Sequence, residues 1–123
     1  MLILERKEPG RSTGTTRIAE DQDVVTLINV FTVAPEHQQR LVDLLVEATE
    51  VVMGGLPGFL SANLHKSLDG TRVTNYAQWA SRGHFEAILE NPAAMAHMRE
   101  AASVSESFEP HLYEVAFVEL AAD

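Results

Sequence analysis

The 123-residue sequence contains no cysteine, which excludes disulfides, thiolate nucleophiles and cysteine-ligated metals. It also lacks a glycine-rich phosphate loop. Its five histidines match no metal-binding spacing, so we interpret them as surface or helix-face residues. They are His37, His65, His84, His97 and His111. These absences favour a protein that needs neither a metal ion nor an organic cofactor.

Positive charge is scarce. Nine Lys and Arg residues stand against eighteen Asp and Glu residues, which gives a formal net charge of −9. A surface of this sign argues against binding to nucleic acid or to an anionic membrane. We therefore expect the partner to be a small molecule or another protein chain.

Long apolar runs are missing as well. The apolar residues 1–4 are followed at once by Glu5, Arg6 and Lys7, so the run is too short for a signal peptide, and no later run approaches membrane-spanning length. The expectation is a soluble cytoplasmic protein. Its length and its 46 % hydrophobic content fit one domain with one core.

The chain divides into a polar beginning and a patterned remainder. Residues 1–22 mix charges with glycine, serine and threonine, a composition that buries little surface. We expect them to form a flexible N-terminal extension, which would be able to lie on a neighbouring subunit. Residues 23–123 form the predicted domain.

The first predicted strand, residues 24–33, has apolar side chains on both faces, as in a strand that is covered on both sides. Asn29 interrupts it on the face of Leu27 and Phe31. A buried asparagine without partners costs about 1–3 kcal/mol. Asn29 therefore either bonds a neighbouring loop or points its amide into a pocket.

A helix and a β-hairpin are predicted next. Pro35 suits the first turn of a helix, and leucine, alanine and valine recur at helical spacing from Leu41 to Val52 before glycines end the pattern. Residues 59–66 and 72–79 read as two strands around a turn at 67–70. The two strands are expected to be antiparallel neighbours.

The last third of the chain predicts a divided helix and a closing strand. Ser81 is a plausible helix cap, and Asn91-Pro92 separates two helical segments. Residues 103–110 are polar and predict a loop, whereas the apolar residues in 113–120 predict the final strand.

This order of elements predicts an α+β fold of the ferredoxin-like type, an antiparallel four-stranded sheet with both helices on one face. Two helices leave the second face open, yet the first strand is apolar on that side too. We expect a homodimer that buries this face, with a pocket between sheet and helices in each subunit. The face carries Thr26, Ile28, Thr74 and Tyr76.

The strand at 72–79 carries the most informative pair of side chains. Period-two alternation places Asn75, Ala77 and Trp79, the sole tryptophan, on one face. An amide offers directional hydrogen bonds and an indole offers a broad apolar surface, so together they suit a flat, oxygenated ring. The alternative is that Asn75 bonds local backbone and Trp79 is a core anchor.

Four segments carry a resemblance to a known family. They are Asn29-Val30-Phe31-Thr32-Val33, Pro57-Gly58-Phe59, Asn75-Tyr76-Ala77-Gln78-Trp79 and Arg99-Glu100-Ala101. In order and spacing, over about residues 24–120, they resemble the antibiotic biosynthesis monooxygenases, most of all the cofactor-free anthrone- and quinone-forming oxygenases of aromatic polyketide pathways. The resemblance implies a dimeric α+β barrel that oxidises a phenolic polycyclic substrate with molecular oxygen.

The resemblance also implies which residues act. Position by position, the catalytic residues of the family fall on Asn75, Trp79, Asn29 and Arg99. Phe31, Phe85, Ala77 and Met95 are expected to bind the substrate. No cofactor is implied, with molecular oxygen as co-substrate and a small aromatic polyketide as the partner.

One position departs from the family. Where related enzymes have a tyrosine early in the second helix, this chain has Phe85, which has no proton to donate. Tyr76 cannot replace it, because it lies on the strand face opposite Asn75 and Trp79. Proton delivery is left to Arg99, a histidine, water or the substrate.

Two other functions are compatible with the sequence. A haem-degrading monooxygenase of the same fold would use an asparagine, a tryptophan and a ligating histidine, and none of His65, His84 or His97 is convincingly placed for that role. A non-enzymatic small-molecule binder on the same fold is the other alternative.

Overall fold

Four antiparallel strands and three helices make up the computed structural model, which describes residues 14–122. The sheet order is β2-β3-β1-β4. The elements are β1 (Val25–Thr32), α1 (Gln38–Val51), β2 (Phe59–Lys66), β3 (Arg72–Trp79), α2 (Arg82–Glu86), α3 (Pro92–Ser103) and β4 (Ser107–Tyr113), with 3-10 turns at Pro35–His37, Met53–Gly55 and Ala87–Glu90. The predicted ferredoxin-like α+β fold is confirmed.

The core lies between the sheet and the helices. Every second side chain of β1 and β3 points towards α1 and α3, because strand side chains alternate between faces. Phe31 and Val73 pack there against Leu41 and Leu45 of α1 and Ala101 of α3. The helices therefore cover one face of the sheet, as predicted.

The helix boundaries follow from local hydrogen bonds. Ser81 accepts a bond from the backbone N–H of His84 at 3.1 Å, and Asn91 accepts one from Ala94 at 2.9 Å, so each caps the helix after it. Both residues were predicted to mark these boundaries. Gln38, at the start of α1, donates to the backbone oxygens of residues 67 and 72 and so ties α1 to the β2–β3 turn.

The β2–β3 turn is held by Asp69. Its carboxylate accepts bonds from the backbone N–H and hydroxyl of Thr71 and from the hydroxyl of Ser67. The Thr71 backbone bond, followed by the two hydroxyl bonds, lowers the pKa of Asp69 to about 2. Because the pKa is lowered in the folded protein, the ionised Asp69 stabilises the fold at pH values above the ordinary pKa of an aspartate. This stabilisation is lost as the pH falls towards 2.

The position of the last strand differs from the sequence prediction. The structure places β4 at Ser107–Tyr113, so the strand begins inside the segment predicted as a loop, 103–110, and ends where the predicted strand was to begin, while residues 114–122 have no regular structure. β4 is an edge strand, and its partner on β1 fixes its register, with Phe108 opposite Phe31 and Pro110 opposite Asn29. An edge strand tolerates proline and a polar outer face, which is why its sequence looked like a loop.

Part of the predicted N-terminal extension is in contact with the sheet. Residues 1–13 lie outside the described residues, but the segment around Thr16 and Arg17 lies against the face opposite the helices. Thr16 donates to the Asn63 side chain and Gln78 donates to the Arg17 backbone oxygen, each at 2.8 Å. This segment therefore covers some of the face expected to bind a second subunit.

Gly58 is a position at which we expect any side chain to destabilise the fold. Its φ is +84°, and a Cβ there would lie 2.2 Å from Cγ of His84. Gly58→Ala should lower the free energy of unfolding by about 1–3 kcal/mol through backbone strain alone. Urea titration followed by circular dichroism measures it.

The double variant Gly58→Ala/His84→Ala separates the two causes. Removing the imidazole relieves the clash but leaves the strained backbone, so it should restore only part of the loss. Wild-type stability of Gly58→Ala would show that the turn tolerates a side chain.

Candidate active site

A cavity of about 280 Å³ lies between the sheet and the helices. Strands β1 and β3 form its floor, α1 and the 3-10 turn after it form one wall, and α2 and α3 form the other. The lining is almost entirely apolar. Its apolar members include Leu27, Leu45, Ala48, Met53, Phe59, Ala62, Ile88, Met98 and Ala102. A cavity with this lining excludes water from whatever it binds.

Two asparagine side chains lie on the cavity floor. Asn29 of β1 and Asn75 of β3 are direct register partners, so their side chains stand next to each other on the same face. Asn29 is only 5 % exposed. Within residues 14–122, the buried side-chain oxygens of both residues have no hydrogen-bond partner.

These unpaired amides point to a ligand. An unsatisfied buried polar group costs about 1–3 kcal/mol, and the alternative reading required that the amides bond the protein itself. Neither amide is bonded to any residue in the described part of the chain. Each carboxamide has one acceptor and two donors, so the pair can bind an oxygenated ligand in either sense.

Trp79 forms the end of the floor. Its ring is 2 % exposed and stands edge-on to Phe59, with centroids 5.5 Å apart, and to Phe85, with centroids 6.4 Å apart. This geometry fixes the plane of the indole. Its N–H also has no partner among residues 14–122, so it is a third unpaired polar group at the same cavity.

Arg99 stands at the mouth. It lies on α3 four residues after Met95 and three residues before Ala102, so all three share the cavity side of the helix. Arg99 is exposed, unlike Asn29 and Trp79. No ion pair or hydrogen bond joins its guanidinium to any residue from 14 to 122.

All eight residues singled out from the sequence line this one cavity. They are Asn29, Phe31, Asn75, Ala77, Trp79, Phe85, Met95 and Arg99. Phe31 and Ala77 extend the floor beside the amides, and Phe85 and Met95 belong to the helical wall. The structure thus brings the predicted set together in one cavity.

Sequence reasoning missed other lining residues. Phe108 and Pro110 line the cavity from β4, which had been predicted to begin later. Phe59 was missed because a bulge between residues 59 and 61 shifts the hairpin register and pairs it with Trp79. The pairing of Phe59 with Trp79 depends on this bulge, and nothing in the local sequence indicates that a bulge forms there.

Several polar residues are placed away from the cavity. All five histidines lie in the described part of the chain, and none of them lines it. Tyr76 pairs with Ile28 and Asn63, and neither it nor Tyr113 lines the cavity. Within residues 14–122 no three His, Asp or Glu side chains form a group able to hold a metal ion, and no helix there is long and apolar enough to cross a membrane.

Comparison with known proteins gives a consistent picture. The model of the family described as antibiotic biosynthesis monooxygenase matches residues 24–100. A tetracenomycin-F1 monooxygenase of Streptomyces glaucescens is 47 % identical over 88 residues, which cover 72 % of this chain and 79 % of that protein.

Two solved structures are similar along most of their length. SnoaB, a cofactor-independent oxygenase from Streptomyces nogalater, superposes with a TM-score of 0.68 at 23 % identity, covering 78 % of this chain and 96 % of that one. The monooxygenase from the ActVA-Orf6 gene of Streptomyces coelicolor, solved with nanaomycin D, gives 0.66 at 28 % identity, covering 80 % and 92 %.

Proposed function

Because the chain belongs to the antibiotic biosynthesis monooxygenase family and is a monooxygenase, we propose that it oxidises a phenolic polycyclic compound, an anthrone- or naphthol-like polyketide, to a quinone with molecular oxygen and no cofactor. The observation that carries the proposal is the floor of the cavity. Three unpaired polar groups, on Asn29, Asn75 and Trp79, stand there in an otherwise apolar lining.

The chemistry needs little from the protein. An anthrone that has lost a proton from its ring carbon is an electron-rich anion, and it transfers one electron to O₂. The carbon radical and superoxide combine to a peroxide anion, which takes up a proton, and the resulting hydroperoxide loses water and leaves a carbonyl. One oxygen atom of O₂ enters the quinone, and the other leaves as water with the two hydrogens that the carbon lost. The substrate thus supplies the electrons that a flavin would otherwise supply.

The protein stabilises the anion and orients the ring. Asn75 and Asn29 donate amide N–H groups to the substrate oxygen on which negative charge develops, and such bonds are stronger in an apolar cavity than in water. Trp79 contacts the flat ring and fixes its position. Phe85 has no proton to give, so the proton for the hydroperoxide comes from water or from the substrate.

The similar proteins support this substrate class. The relative with 47 % identity is a tetracenomycin-F1 monooxygenase, and the ActVA-Orf6 monooxygenase was solved with nanaomycin D. SnoaB is described as a cofactor-independent oxygenase. Haem degradation is less well supported, because no histidine of the described chain lines the cavity to ligate an iron.

Oxygen uptake tests the proposal. Protein stripped of metals by exhaustive chelation, and free of flavin absorbance, should consume O₂ when an anthrone or quinol is added. Activity that is lost on chelation and restored by one specific metal would contradict cofactor independence. Tight binding of the same compounds without any oxygen uptake would instead indicate a binding protein.

We also propose that the protein is a homodimer through the sheet face opposite the helices. Ile28, Thr74 and Tyr76 on this face are only half-buried, and Tyr113 on the adjacent edge strand is 48 % exposed. A second sheet would cover the part that residues 14–20 leave open.

Light scattering of a dilute sample tests the dimer. A mass twice that of the 13.5 kDa chain is expected. The mass of a single chain would contradict it. Placing a charge on this face, as in Ile28→Asp, should shift the population towards the single chain, because a buried unpaired charge opposes association.

A further inference from the structure

We propose that Arg99 forms an anion subsite at the mouth of the cavity, and that it recognises a carboxylate on the end of the substrate remote from the reacting ring. This inference rests on the proposed function only in that it takes the cavity to bind a flat polycyclic ligand. It adds to the proposed function that the substrate carries a negative charge and that this charge lies at the cavity mouth.

Arg99 has no charged neighbour among the described residues that line the cavity. Among the described residues that line the cavity, it is the single charged side chain, and no aspartate or glutamate accompanies it. Its guanidinium makes no ion pair or hydrogen bond within residues 14–122. Acidic residues outnumber basic residues eighteen to nine in this chain, yet none of those in residues 14–122 pairs with Arg99 at the cavity mouth.

The chemistry of guanidinium selects the ligand. It is a planar fork of N–H donors with no acceptor, and it matches a carboxylate through two parallel bonds. An apolar cavity with one cation at its mouth therefore favours a flat ring that ends in a carboxylate over the same ring without one.

The position of Arg99 separates it from the reacting end. Asn29, Asn75 and Trp79 lie on the sheet floor, whereas Arg99 is exposed on α3, on the helical side of the cavity. The neutral amides suit an oxygen that becomes charged only during reaction. The permanent cation suits a group that is charged throughout, and its exposure to water directs its effect to binding and orientation more than to the chemical step.

Ligand binding, followed by the quenching of Trp79 fluorescence, provides a test that needs no turnover. Trp79 is the sole tryptophan and lines the cavity, so a ring that enters should quench it. The probes are anthraquinone-2-carboxylate and anthraquinone-2-carboxamide, which have similar size, differ in charge and carry no phenol. A preference for the carboxylate therefore cannot come from a phenolate on the ring.

The wild-type protein should bind the carboxylate about tenfold more tightly than the carboxamide, as expected for one charge-assisted pair. Arg99→Gln should abolish this preference by weakening carboxylate binding alone, and Arg99→Lys should retain part of it. Arg40→Gln is the matched control. Arg40 is exposed on α1 and does not line the cavity, and its substitution removes the same charge as Arg99→Gln. It should keep the full preference.

The inference is overturned if Arg99→Gln weakens both probes equally or leaves the preference intact. It is likewise overturned if Arg40→Gln removes the preference as fully as Arg99→Gln does, since net charge would then be the cause. Absence of oxygen uptake by a protein that shows the Arg99-dependent preference would refute the proposed oxidation and leave the anion subsite standing.

Discussion

Asn75→Ala is expected to lower turnover about 100-fold while leaving the protein folded. The amide of Asn75 stands on the cavity floor beside Asn29 and is bonded to no residue in the described part of the chain. Its removal therefore costs the fold no internal hydrogen bond. What is lost is a donor to the oxyanion, and removing one such donor typically costs 10²–10³-fold in rate.

A matched asparagine provides the control. Asn63 lies on the opposite sheet face, where it donates to the Tyr76 backbone oxygen at 3.0 Å and accepts from Thr16. Asn63→Ala should lower the free energy of unfolding by about 1 kcal/mol with turnover per folded molecule unchanged. Asn29→Ala should slow turnover less than Asn75→Ala if both side chains donate hydrogen bonds to the same substrate oxygen.

Thermal melts and single-turnover rates on the same samples decide the matter. If Asn75→Ala is clearly destabilised but turns over at the wild-type rate, Asn75 is a structural residue and has no part in the mechanism.

Trp79→Ala is expected to have the largest effect on stability. The indole is 2 % exposed, and it packs in one cluster with Leu27, Met53 and Ile88, between the rings of Phe59 and Phe85. Truncation of a buried tryptophan leaves a void that the surrounding side chains fill only in part. The free energy of unfolding should fall by about 3–5 kcal/mol, measured by urea titration with circular dichroism.

Trp79→Phe separates packing from substrate contact. It keeps an aromatic ring in the cluster, so most of the stability should return, but it shortens the surface against which the substrate lies. We expect a raised KM with a smaller change in kcat. Wild-type KM and kcat in Trp79→Phe would show that the indole serves the core alone.

Much of the fold could be predicted because its local signals agree with its tertiary contacts. The bounds of β2 and β3 coincide with the predicted ones, since the turn at 67–70 and the period-two pattern fix both strands. Ser81 was recognisable as a cap from its residue type, and Asn91-Pro92 was recognisable as the break between two helical segments. The same alternation that defines β3 placed Asn75 and Trp79 on one face, which is why the predicted site residues meet in one cavity.

What could not be predicted depends on long-range contacts. β4 is a strand because β1 offers it a free edge, and its proline and charged residues gave no local sign of this. The contact of residues 14–20 with the sheet rests on two hydrogen bonds, Thr16 to Asn63 and Gln78 to Arg17, between positions distant in sequence. No periodicity in a polar segment foretells such pairs.

The measurement that tests the central claim most directly is a single turnover of metal- and flavin-free protein with an anthrone under ¹⁸O₂. We expect one labelled oxygen in the new quinone carbonyl, the other in water, and one O₂ consumed per quinone formed. A new carbonyl that carries unlabelled oxygen from solvent, or quinone formation that continues without O₂, would contradict this mechanism.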